Sequence, residues 1–254
     1  MLKVKIILFM GVKFQLRSYV SCKELDELGE GLVKDFLEKT NQEKALFVDM
    51  ESFISSYLGF PIVYESFCEM DTSKLGFLSD GKTPLRIVRN GKPKSVVFAK
   101  DTIVLDKYLL LKSEFGKRRF TLAHEAAHKL LEKHNPMQSA AFRREFNSND
   151  TYDAKTLTEM FSMNELQADR LAAAILMPEF IVRRVVERYS KGKAIKIYGG
   201  TVIAPHDKIK LRKIADCLGV SFSALLIRLK NFQLIEQHDL QEYIHSLKGG
   251  AECV

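Results

Sequence analysis

Three observations in this 254-residue sequence predict an α+β fold. Apolar residues recur every three or four positions before residue 60 and again after residue 116, the period of helices packed on one face. Between about residues 61 and 105 the texture changes to short Val- and Ile-rich runs punctuated by Asp80-Gly81 and Asn90-Gly91. That pattern reads as a small, mostly antiparallel sheet. Hydrophobic residues make up 46 % and charged residues 28 %, a balance that buries a core and excludes a disordered chain.

The elements follow in order. Leu25, Leu28, Leu32, Phe36 and Leu37 predict a helix from Ser21 to about Thr40. A second, short helix runs from Asp49, its cap, to Leu58, with Gly59 just past its end. Strands are expected at Pro61 to Phe67, Leu85 to Arg89, Ser95 to Ala99 and Thr102 to Leu105. A helix from about Arg118 to Lys133 stops before Asn135-Pro136. The polar stretch from Pro136 to Thr156 reads as a long loop. Helices from about Ser162 to Leu176 and on to Ser190 follow, then a hairpin from Ile195 to Ile203 around Gly199-Gly200. The tail from His206 to Leu247 reads as helical. Residues 1–18 have no reading beyond an extension. The expected domains are an N-terminal extension and helix (1–48), a central domain (49–204) and a helical lobe (205–254).

Several classes are excluded. The four cysteines show no close pairing, which argues against a disulfide framework or a cysteine zinc knuckle. No apolar run reaches the length of a membrane helix. The best, Ile6 to Val12, is followed by Lys13 and Arg17 and by no small-residue cleavage site, so the expected location is cytoplasmic.

Chemistry concentrates at His124-Glu125-Ala126-Ala127-His128. On a helix, positions i and i+4 lie about 40° apart, so both imidazoles share a face and can hold one zinc ion. Glu125 lies roughly 60° from His128 on the same side, able to act on a water without being a ligand. A bare H-E-x-x-H arises by chance at roughly the one per cent level in a chain this long, so a second signal is needed. Asn164-Glu165-Leu166-Gln167-Ala168-Asp169 supplies it. Glu165 can provide the third ligand and leave one position for solvent. Asp169, one turn on, can accept the free imidazole N–H of His124 and fix its tautomer. The Ala- and Leu-rich run from Ala168 to Leu176 predicts a buried helix, where carboxylates need such partners.

These residues carry a resemblance. Arg119 to His128, Asn164-Glu165 with Ala168-Asp169, and the Leu176-Met177-Pro178 ending are similar to the ImmA/IrrE family of zinc metallo-endopeptidases. Asp49 to Tyr64 and Val220 to Leu234 match its flanks, so the likeness spans roughly residues 20 to 235. It departs at Ala127 and Asp169, where many members carry Gly and Asn. The resemblance implies a zincin-like fold, one zinc per chain held by His124, His128 and Glu165, and Glu125 as the catalytic base. It further implies a protein substrate, a helix-turn-helix transcriptional repressor, often of a mobile element or phage, cleaved to derepress genes. In zincins an edge strand commonly binds substrate, which makes the strand at Thr102 to Asp106 a candidate. Tyr152, His134 and His206 are possible oxyanion donors.

The competing reading is a DNA-binding or regulatory protein with a structural zinc or a vestigial site. Ile214 to Leu225 resembles a helix-turn-helix, with Gly219 in the turn and Ser221 as cap. Between Arg183 and Lys213 stand ten basic residues against two acidic ones, more charge than the net +7 of the whole chain. Such a concentration attracts nucleic acid or an acidic protein. The helix-turn-helix pattern also suits a hairpin completing the core, and DNA is the lesser expectation.

Overall fold

In the computed structural model the described residues are 20–68, 75–132, 154–191 and 195–249, with side chains described except at 154–163 and 246–249. Residues 1–19 and 133–153, with the extension and most of the expected loop, lie outside them. The chain divides into two compact units, Met1–Lys44 with Val48–Pro178, and Ala45–Phe47 with Glu179–Val254.

The first unit begins with α1 (Cys22–Lys39), whose N-terminus is closed by a reciprocal Ser21–Glu24 capping box. Its apolar stripe buries Leu25, Leu32, Val33, Phe36 and Leu37, each at most 3 % exposed. A short helix follows: α2 (Met50–Ser52), capped by Asp49, continues as a π-helical turn over Phe53–Leu58 and ends at Gly59 with φ 76°. The aromatic rings of Phe36, Phe53 and Tyr57 meet with centroids 5.3 to 5.7 Å apart and lock α1 to this turn.

Five strands form one sheet: β1 (Ile62–Phe67), β2 (Gly76–Leu78), β3 (Leu85–Arg89), β4 (Lys92–Val96) and β5 (Ile103–Asp106). Their order is β2-β5-β1-β3-β4. Only β1 and β5 run parallel, with Val63 opposite Val104; the other three pairings are antiparallel. The fold is therefore mixed α+β with a mostly antiparallel sheet. The β3–β4 hairpin closes at Asn90-Gly91, with φ 55° and 70°, as that dipeptide requires.

Two expectations about the sheet are corrected here. The fourth strand spans Lys92–Val96 rather than Ser95–Ala99, because the two-residue turn sets the register and pairs Arg89 with Lys92. The strand at Ile103–Asp106 is interior, flanked by β2 and β1, so its backbone groups are already paired and it cannot take an added strand.

Two long helices complete the unit: α3 (Phe115–Leu131) and α4 (Ala154–Leu176). The expected loop overran its end, since residues 154–156 are helical. Gly29 on α1 explains how closely α4 packs: a Cβ there would stand 2.6 Å from Ala174 Cβ and 3.0 Å from the Ala174 backbone. Ala123, Ala126 and Ala127 on α3 are fully buried. Small residues on both helices bring backbones close enough for short polar side chains to meet.

The second unit holds α5 (Glu179–Ser190), β6 (Ile195–Tyr198), α6 (Pro205–Leu218), α7 (Phe222–Asn231), β7 (Ile235–His238) and α8 (Leu240–Gly249). The segment Ala45–Phe47 joins it through Arg184, whose Nη1 donates to Ala45 O at 2.8 Å. The tail is thus not wholly helical. Residues 235–238 form a strand parallel to β6, with Ile195 opposite Ile235. The expected hairpin reduces to one antiparallel bridge, Tyr198 with Val202, because β6 takes its ladder from β7 instead. Leu211, Ile214 and Leu218 on α6 and Leu225 and Leu229 on α7 are fully buried. No helix among the described residues is long and apolar enough to cross a membrane.

Candidate metal centre

The site starts from α3. His124 and His128, one turn apart, bring their Nε2 atoms to 2.9 Å of each other. Across from them, α4 presents Glu165. One of its oxygens lies 3.3 Å from His124 Nε2 and the other 3.7 Å from His128 Nε2. Two imidazole nitrogens and one carboxylate oxygen thus lie within 4.8 Å of one another. Asp169, one turn beyond Glu165, meets His124 Nδ1 at 2.9 Å. With Nδ1–H committed to Asp169, the Nε2 lone pair of His124 faces the cluster.

The donor chemistry fits a divalent cation. Two neutral imidazoles and one carboxylate form a three-ligand set that leaves a fourth position open. Burial opposes charge on His124, yet its hydrogen bonds to Asp169 and Glu165, with the charge of Glu125, outweigh it and push its pKa up to about 10. Burial would also raise Glu165, but its hydrogen bonds to both imidazoles prevail and bring its pKa down to about 2. The carboxylates around the two imidazoles therefore favour a positive charge between them.

Glu125 occupies the flank of α3 between the ligands and the sheet. It is 4 % exposed, and its Oε2 has no hydrogen-bond partner among the described residues. Burial pushes its pKa up, against the lowering influence of His124 and His128. A buried carboxylate with one idle oxygen is poised to take a proton from a bound molecule.

Gly76 makes this placement possible, and sequence reasoning missed it. A Cβ at Gly76 would stand 2.5 Å from Glu125 Oε1 and 2.7 Å from Thr121 Cγ2. Only glycine lets β2 run this close beside α3. The strand itself escaped notice because three residues, Gly-Phe-Leu, show no alternation to read.

His124, Glu125, His128, Glu165 and Asp169 come together at this place. One argument for them is corrected. Glu165 and Asp169 were expected to be buried, but their side chains are 46 % and 51 % exposed. The buried stripe of α4 (Ala168, Leu171, Ala172, Ile175) runs alongside them, so the two carboxylates stand at its margin. The two carboxylates therefore stand on a partly exposed edge of the helix. Tyr152 and His134 lie outside the described residues. His206 is 70 % exposed in the second unit, beside Asp207.

A mixed α+β unit holding a two-histidine, one-carboxylate cluster with an adjacent buried glutamate has the makings of a metallopeptidase-type domain. Residues 56–230 match the Peptidase_M78 family, described as the IrrE N-terminal-like domain, and the chain belongs to that family. Comparison with curated proteins returned no match.

Proposed function

We propose that the protein is a zinc-dependent endopeptidase of the ImmA/IrrE type with a zincin-like catalytic domain over residues 49–204. Its proposed substrate is a helix-turn-helix transcriptional repressor, cleaved to derepress genes. The observation that carries this reading is the convergence of His124, His128 and Glu165 beside a buried Glu125.

His124, His128 and Glu165 would hold the zinc, one ion per chain, and Asp169 would keep His124 in the ligating tautomer. Bound there, zinc supplies Lewis-acid polarisation of the scissile carbonyl and of the attacking water. Glu125 removes the proton of that water and delivers it to the leaving nitrogen. Its buried surroundings favour the protonated intermediate stage of that relay. Edge strand β2, held against Glu125 by Gly76, is suited to align an extended peptide by backbone pairing. Membership of the family supports a protein substrate.

The decisive experiment is Glu125→Gln with metal content measured in parallel. Loss of cleavage with zinc retained supports the reading; unchanged loss of the repressor in cells removes hydrolysis by this site as the activity.

The helix-turn-helix likeness of α6 and α7 supports a second, lesser reading of the 205–254 lobe as a DNA contact. Lys208, Arg212 and Lys213 are exposed on α6. However, α7, the helix that would read bases, exposes only Ser223, Ile227, Lys230 and Asn231. Its Arg228 is 1 % exposed and stacks on Phe232. That composition suits packing better than base recognition. Salt-dependent binding of duplex DNA by the full chain, abolished by Arg212→Glu, would favour the second reading.

A further inference from the structure

The solvent face of α3 carries side chains that take no part in the ligand cluster. At about 100° per residue, Lys117, Phe120, His124 and His128 fall on one face of the helix. Phe120 is 40 % exposed, and its ring centroid lies 6.0 Å from that of His124. Lys117 is exposed, with Nζ 5.9 Å from the centroid of the Tyr108 ring, itself 45 % exposed. Tyr108, Lys117 and Phe120 are therefore exposed on the approach to His124, aromatic at two points and cationic at Lys117, while the Tyr108 hydroxyl at the far end already meets the Glu114 carboxylate. Gly76 and β2 touch Thr121 and Glu125, on the opposite flank of the ligand face. The track and the edge strand border the ligands from two sides.

Aromatic rings left in water beside a reaction centre are favourably covered by apolar groups. The cation at Lys117 favours a carboxylate in whatever covers them. We infer that this track is a substrate subsite that selects an aromatic or branched apolar side chain about two residues from the cleaved bond, and an acidic side chain about three residues from it. The spacing comes from geometry. A helix rises about 1.5 Å per residue, so His124 lies about 6 Å from Phe120 and about 10 Å from Lys117, while an extended peptide advances about 3.3 Å per residue. The occupant is an acidic, apolar segment of a protein substrate. This rests on the peptidase reading of the same site.

The test uses the zinc-loaded full chain and a positional-scanning library of internally quenched peptides. The same library, immobilised, is probed for binding with zinc-loaded Glu125→Gln. The expected cleaved and bound peptides share the acidic and apolar positions. Lys117→Glu shifts the charged position toward Lys or Arg and lowers the acidic preference by about fivefold. Phe120→Ala lowers turnover of the apolar-bearing peptides by about tenfold, and Phe120→Leu restores most of it. Metal content stays unchanged in all three variants. Cleavage without these preferences overturns the track and leaves the peptidase standing. Binding by Glu125→Gln that follows Lys117, without cleavage by the unmodified chain, upholds the track and overturns the peptidase. Neither cleavage nor binding overturns both.

Discussion

The His124–Glu125–His128 group of α3 and the basic residues of α6 follow opposite rules. On α3, His128 and Glu125 are each 4 % exposed, and their neighbours are residues of complementary chemistry on α4 and β2. On α6, Lys208, Arg212 and Lys213 are exposed to solvent. A buried or half-buried polar group costs free energy unless something completes it, whereas a solvated lysine needs no partner. The arrangement on α3 is therefore informative about function, and the solvated charges on α6 are not. Number of charges is a poor guide; convergence of unlike donors is a good one.

The sharpest way to break this contrast is at the cluster. His128→Ala should abolish zinc binding, with metal content by elemental analysis falling to background, while the fold persists by circular dichroism. Chelation of the unmodified chain should remove activity equally and reversibly. If His128→Ala keeps its zinc, the cluster is not the metal site. Glu125→Gln should keep the metal and lower peptide hydrolysis by about 10²- to 10⁴-fold. Gly76→Ala tests how tightly β2 and Glu125 are matched. A new methyl group 2.5 Å from Glu125 Oε1 should displace the carboxylate and cost about 10²-fold in turnover with zinc retained. Asp169→Ala should weaken zinc affinity by about 10- to 100-fold, measured by competition with a chelating dye, and Asp169→Asn by less because it still accepts a hydrogen bond.

On the other side of the comparison, Arg212→Glu with Lys213→Glu should change thermal stability by no more than about 0.5 kcal/mol per site. A larger loss would mean that α6 is tied down by its charges after all. The smallest expected effect is at Asp35. Burial raises its carboxyl, but hydrogen bonds from Lys39 and Tyr57 outweigh it and hold the pKa below 3.8. A depressed carboxyl contributes stability that is present above pH 3.8 and is lost as pH falls through the folded value. Tyr57→Phe should flatten that part of an acid-unfolding curve.

Much of the first unit was legible in the sequence because local rules decide it. The Ser21–Glu24 box, the Asp49 cap, the Asn90-Gly91 turn and the i, i+4 pairing of His124 with His128 depend on residues a few positions apart. Pairings over longer range were not legible. β7 reads as part of a helical tail, yet four residues find β6 as a partner and become a strand. β2 is too short for a pattern, and its place follows from β5 and α3. The exposure of Glu165 and Asp169 was misjudged because their helix is apolar on only one side, and the sequence does not say which side faces its neighbours.

By itself, the sequence determined which residues could bind a metal and on which helices they lie, because side-chain chemistry and helical period are local properties. Only the tertiary structure decided that Glu165 reaches the imidazoles, that Asp169 takes His124 Nδ1, and that Gly76 lies against Glu125. Those three facts depend on how near two backbones approach, and that distance is set by small residues such as Gly29, Ala174, Ala126 and Ala127, far apart in the chain and adjacent only once it is packed.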